Sequence, residues 1–345
     1  MNLLVPGVWY AENLGFSKTP GEVILQTAIA AKFIWHNGRI VPWTIATVHV
    51  SCHALHYGSG VFEAIRCYDT RQGPAVFRLD EHIDRFLSSA QCYRLARPYA
   101  REELHRAVLE LIESNGFTDC YVPPLGFSGS HSLSLYPEAC PVDVIILAWS
   151  WVDFLRPDAR EQGSSVSAPW RKLPSQAFPP TAKASGQFLN SLLATEDARV
   201  RGFDEALLLN LDGTIAGGAS ENLFLVRDGR LMTNDEQSSI LPGITRNSVL
   251  YLAAGLGIPT HVGKMQPADL LSADEAFFTG TSIETAPITR INNCRIGAGA
   301  LGSISSVLRE AYANIVRGRD ASASDWLTFT SAKQPVIKKG EALTP

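Results

Sequence analysis

Lys183 stands in a run of small residues, Thr181-Ala182-Lys183-Ala184-Ser185-Gly186, preceded by Pro179-Pro180. A flat ligand can approach such an amine closely, and partial burial lowers its pKa toward the range where the neutral amine attacks a carbonyl. The same stretch alone also fits an ordinary exposed lysine, because most lysines lie at the surface. A second chemical feature is Leu241-Pro242-Gly243-Ile244-Thr245-Arg246, which opens a helical pattern through Val249, Leu250 and Ala253. The first N–H groups of a helix favour an anion through their dipole and their unsatisfied donors. His53 and His56 are spaced HxxH without a carboxylate at metal-ligand spacing, a pattern that fits core or capping residues better than a zinc site.

Those groups need elements to place them. Leu189, Leu192, Leu193 and Glu196 recur at helical spacing and predict a helix after the lysine, ending near Gly202. Residues 33–36 and 39–41 flank Asn37-Gly38, a two-residue hairpin signal, because both central positions of a type I′ turn need positive φ. A turn around Gln72-Gly73-Pro74 precedes the strand 75–79; Asp80 then reads as an N-cap for a helix with Ile83, Phe86, Leu87 and Ala90 on one face. Leu104, Ala107, Val108, Leu111 and Ile112 mark another helix, stopped by Asn115-Gly116. The short apolar run Val144-Ile145-Ile146-Leu147-Ala148 predicts a buried strand over 143–151. Asp212-Gly213 and Asp228-Gly229 turn further hairpins. Hairpins interleaved with separate helices give an α+β fold rather than a doubly wound parallel sheet.

At 345 residues the chain is long enough for two domains. The divisions expected are an extension at 1–30, a small α+β domain at 31–152, a linker at 153–163, a large domain at 164–331 and a tail at 332–345. A net charge of −4 with scattered Lys and Arg gives no footprint for nucleic acid or an anionic membrane. The six cysteines form no CxxC pair, so neither zinc nor a disulfide framework is indicated, and a reducing cytoplasm is the expected compartment. No apolar run reaches membrane-spanning length.

Five separated blocks, in order, resemble the branched-chain aminotransferases, class IV enzymes of pyridoxal phosphate fold type IV with the architecture of D-amino-acid aminotransferase. They are the run from His53 to Arg66 with the Glu81-His82-Ile83-Asp84-Arg85 segment, Cys120-Tyr121-Val122-Pro123-Pro124-Leu125, the lysine segment, Glu221-Asn222-Leu223-Phe224 with the Leu241 to Arg246 run, and Phe278-Thr279-Gly280-Thr281-Ser282. The resemblance implies pyridoxal 5'-phosphate as cofactor, with Lys183 as the Schiff-base lysine and Arg85, Ile244, Thr245 and Thr281 at its phosphate; a guanidinium fork suits a dianion. It implies a substrate pocket with Phe62, Tyr121, Thr281 and Ser282, and a homodimer in which Tyr57 and the loop 128–135, including Leu135, complete the neighbour's pocket.

Three positions depart from the family. The glutamate that pairs with the pyridine nitrogen is Gly217, the tyrosine at the cofactor's phenolic oxygen is Phe188, and the arginine after Tyr121 is Pro123, which has no charge and no N–H. Three readings follow. One is an aminotransferase moving an amino group between an apolar L-amino acid and a 2-keto acid. Another is a repurposed enzyme that keeps the phosphate site but performs elimination, isomerisation or cyclisation. The third is a silent dimeric binding protein, which retention of Lys183 argues against.

Overall fold

The computed structural model describes residues 31–330 apart from 97, 137–139, 151–163 and 169. The expected extension, linker and tail lie outside the described residues, and the strand Ser164–Ser167 is the first described element after the expected linker.

Three sheets organise the described residues. Two five-stranded sheets share chain segments, because Gly60–Phe62 continues into Ile65–Thr70, Cys120–Val122 into Pro124–Ser128, and Val142–Ile146 into Trp149–Ser150, each segment passing from one sheet to the other. The expected single strand at 143–151 is therefore broken in two, and the segment 120–128 is divided in the same way. Pro123 sits at one break, where its missing N–H disturbs no ladder, and its carbonyl accepts from Leu147 N at 3.3 Å. The third sheet has nine strands, with mixed pairing dominated by antiparallel neighbours. This agrees with the α+β expectation.

The hairpin signals hold. Asn37 and Gly38 have φ of 46° and 88°, and Asp228 and Gly229 have 50° and 72°, the positive pairs that a type I′ turn needs. The helix Leu79–Cys92 starts earlier than the sequence suggests, with Arg78 rather than Asp80 at its cap. Gly73 and Pro74 belong to the strand Gly73–Phe77 instead of the turn. Ile83, Phe86 and Ala90 of that helix are buried with Leu104, Val108, Leu111 and Ile112 of the helix Arg101–Asn115, as their spacing predicts. A separate core joins Phe224 and Phe277, stacked at 5.2 Å, to Val249, Leu308 and Tyr312. The strand Leu327–Phe329 returns to pair with Gly73–Phe77, so the end of the described chain is built into a sheet begun near residue 65.

The helix after the lysine runs Phe188–Val200, followed by Gly202 at φ 80°. Its buried face is Ser191, Ala194 and Ala198, whereas Leu189, Leu192 and Leu193 point outward. Small residues let the helix lie close on Ala206 and Leu208, and the leucine spacing that revealed the helix marks its outer face.

Candidate active site

Lys183 is pinned from both sides through its backbone. Its N–H donates to Ser89 Oγ at 3.0 Å, and its carbonyl accepts from Phe62 N at 2.9 Å. The side chain is 7% exposed, and Nζ lies 4.6 Å from the ring centres of both Phe62 and Phe188. Burial disfavours the ammonium and brings the pKa down to about 8, with Glu63 opposing the shift and Arg85 and Lys172 adding to it. The exposed-lysine reading is thereby excluded.

One cavity contains Lys183, Arg85, Phe62, Tyr121, Phe188, Ile244, Thr245, Thr281 and Ser282. Of the residues named from sequence, Tyr57, Leu135 and Gly217 do not line it. Tyr57 is 48% exposed and donates through its hydroxyl to Leu133 O at 2.9 Å, and Leu135 is 81% exposed. Gly217 has φ of 145°, and a Cβ there would come within 2.9 Å of Glu221 O; the wall is formed by its neighbours Ala216 and Gly218. His53 meets Ser59 Oγ at 2.7 Å and Ser134 O at 3.0 Å, and His56 meets Val50 O at 2.9 Å, so both histidines brace loops.

Arg85 is held by a carboxylate that sequence reading missed. Glu63 is fully buried, and its two oxygens take Arg85 Nε at 2.6 Å and Nη2 at 2.8 Å, while Arg85 Nη1 reaches Pro242 O at 3.1 Å. Burial alone would raise the Glu63 pKa, but Arg85, aided by His82 at 2.8 Å, holds it well below the usual carboxylate range. An acid inside the apolar run Val61-Phe62-Glu63-Ala64-Ile65 was the available signal, because buried acids need partners. Asn222 and Thr279 stand inside the blocks that carry the resemblance but were given no role, and Lys172 was missed, with nothing in its local sequence to mark it.

The same end of the cavity carries the helix Ile244–Gly255. A Cβ on Gly243 would collide with Asn222 Oδ1, so glycine is required there by close approach; Asn222 in turn donates to Leu241 O at 3.1 Å. Thr279 Oγ1 is buried on the cavity wall with no hydrogen-bond partner among the described residues. A guanidinium, a helix N-terminus and an orphaned hydroxyl together suit a phosphate, which fits the phosphate end of pyridoxal 5'-phosphate, and the buried amine suits its aldehyde.

A buried reactive lysine beside an anion cup defines a cofactor-dependent enzyme of the pyridoxal phosphate class. Residues 60–291 match the family described as amino-transferase class IV. The branched-chain-amino-acid aminotransferase of Pseudomonas aeruginosa is 39% identical over 297 residues, 86% of this chain and 96% of that one. Among solved structures, the T.th. branched-chain amino acid aminotransferase with pyridoxamine 5'-phosphate superposes with a TM-score of 0.85 at 41% identity, covering 87% of this chain and 99% of that one. The enzyme of Thermoproteus uzoniensis with norvaline gives 0.83 at 38% identity, covering 87% and 100%. The chain belongs to the class IV aminotransferases, in the branched-chain group.

Proposed function

We propose that this protein transfers an amino group between an apolar L-amino acid and a 2-keto acid, using pyridoxal 5'-phosphate held at Lys183. The buried Lys183 amine, facing a cavity with phosphate donors at one end, carries the reading. When bound, the cofactor supplies the electron sink for proton loss at the substrate's α-carbon. Arg85, Thr245, Thr281 and the helix beginning at Ile244 hold its phosphate; Lys183, neutral above about pH 8, takes and returns the proton. Phe62, Phe188 and Tyr121 give the cavity an aromatic wall suited to an apolar substrate side chain. The repurposed reading draws its support from Gly217, Phe188 and Pro123.

A homodimer fits the exposed Tyr57, Leu133, Leu135 and Tyr136, together with Leu189, Leu192 and Leu193. A cytoplasmic location accords with cysteines that are free among the described residues, where no helix is long and apolar enough to cross a membrane. Borohydride reduction with pyridoxal 5'-phosphate, followed by peptide mapping, should label Lys183, and leucine, valine or norvaline should convert the bound cofactor to its amine form. A label elsewhere, or no conversion by any of these donors, would overturn the reading. Sedimentation showing a cofactor-loaded monomer would contradict the dimer.

A further inference from the structure

A bound pyridoxal ring holds a proton on its nitrogen more firmly beside an acidic protein group. Gly217 supplies none, and its φ of 145° with Glu221 O at 2.9 Å from a would-be Cβ leaves no room for one. Among the described residues lining the cavity, Glu221 is the one carboxylic acid, against the cations Arg85, Lys172 and Lys183. Its placement is built: a Cβ on Gly218 would collide with Glu221 Oε2, so the glycine clears the space that the carboxylate fills. Ser220 N donates to Oε2 at 2.9 Å, Ser220 Oγ donates to Oε1, and Gly218 N donates to Glu221 O at 3.0 Å, closing the turn. The next residue, Asn222, ties that turn to the phosphate cup through Leu241.

We infer that Glu221 is the acidic group that faces the ring nitrogen of the bound cofactor in this chain. The inference rests on the proposed function. One proton is shared between a carboxylate oxygen and the ring nitrogen, and no other atom is exchanged. Burial raises the Glu221 pKa while Ser220, Lys172 and Lys183 oppose that rise; Glu205 is itself raised to about 8, by burial and then by the Glu221 charge. A carboxyl poised in this way shares a proton more readily than one fixed as an anion.

The test compares equilibrium binding of pyridoxal 5'-phosphate with that of its 1-deaza analogue, in which carbon replaces the ring nitrogen, to the full chain and to Glu221→Gln and Glu221→Asp. The wild type should prefer the natural cofactor by roughly ten- to a hundredfold, the range of a hydrogen bond to a charged group. Glu221→Gln should shrink that preference to about twofold or less while leaving the affinity for the analogue unchanged, and Glu221→Asp should keep part of it. Equal losses for both ligands would show a merely structural role and overturn the inference alone. Failure of either ligand to load onto Lys183 in the wild type would overturn the proposed function and this inference with it.

Discussion

At the phosphate end of the cavity, the charged groups have fixed partners: Arg85 is forked on Glu63, Glu63 also receives His82, and Asn222 braces the loop before Ile244. At what the branched-chain resemblance makes the ring end, Phe188 on the cavity wall and Gly217 of positive φ just outside it stand where a tyrosine and a glutamate are expected. The difference teaches that one part of this cavity is fixed by paired charges while another has lost polar groups, so that under the proposed function the holding of the phosphate and the tuning of the ring can be perturbed separately.

The largest effect should come from breaking the phosphate end. Glu63→Gln removes the charge opposite Arg85 in a fully buried setting, where loss of one partner costs about 3–5 kcal/mol. Urea unfolding should register that loss, and the cofactor should bind more weakly because Arg85 is no longer aimed. A midpoint unchanged from wild type would show that the pair is not a structural anchor.

Next in size is the lysine between the two ends. With its pKa at about 8, Lys183 has a neutral fraction near pH 8 roughly a hundredfold above that of an ordinary lysine. Covalent capture of pyridoxal 5'-phosphate should therefore rise with pH through a midpoint near 8. Because the folded pKa lies below the unfolded one, the cofactor-free protein binds fewer protons when folded, and this group's contribution to stability rises with pH from about 8 to the ordinary lysine range. A capture midpoint above about pH 10, the ordinary lysine range, would remove the claim that burial tunes this amine.

Much of this was legible before the fold was known, for reasons visible in single residues. Asn37-Gly38 and Asp228-Gly229 announce their turns because few residues accept positive φ, and Lys183 is marked by the small residues that crowd it. The partnership of Glu63 with Arg85 spans 22 positions and that of Asn222 with Leu241 spans 19, distances over which no local periodicity operates. The outward turn of Leu189, Leu192 and Leu193 was hidden for another reason: apolar spacing reports a helix face but not whether that face meets this chain or another.

At the ring end, Gly217→Glu tests whether the missing carboxylate can be restored at its family position. A positive φ of 145° and the 2.9 Å approach of Glu221 O make the substitution strained, at a cost of about 1–3 kcal/mol. The variant should be less stable in thermal unfolding and should not convert the bound cofactor with leucine any faster than wild type. A stable variant with faster conversion would mean that the backbone relaxes to the family conformation.

The smallest effect is expected from Phe188→Tyr, which adds a hydroxyl to a ring already lining the cavity and packed edge-on against Phe62 at 4.8 Å. The added group gains at most one neutral hydrogen bond, worth about 0.5–1.5 kcal/mol, so cofactor affinity should rise by no more than about tenfold. The gain requires the hydroxyl to meet the cofactor's phenolic oxygen; a hydroxyl buried without a partner would instead cost affinity or stability. Fluorescence titration with pyridoxal 5'-phosphate distinguishes these outcomes. Weaker binding by the variant would show that the apolar ring at 188 suits a cofactor pose different from the one the family resemblance implies, and would make the ring end, unlike the phosphate end, a site rebuilt around new contacts.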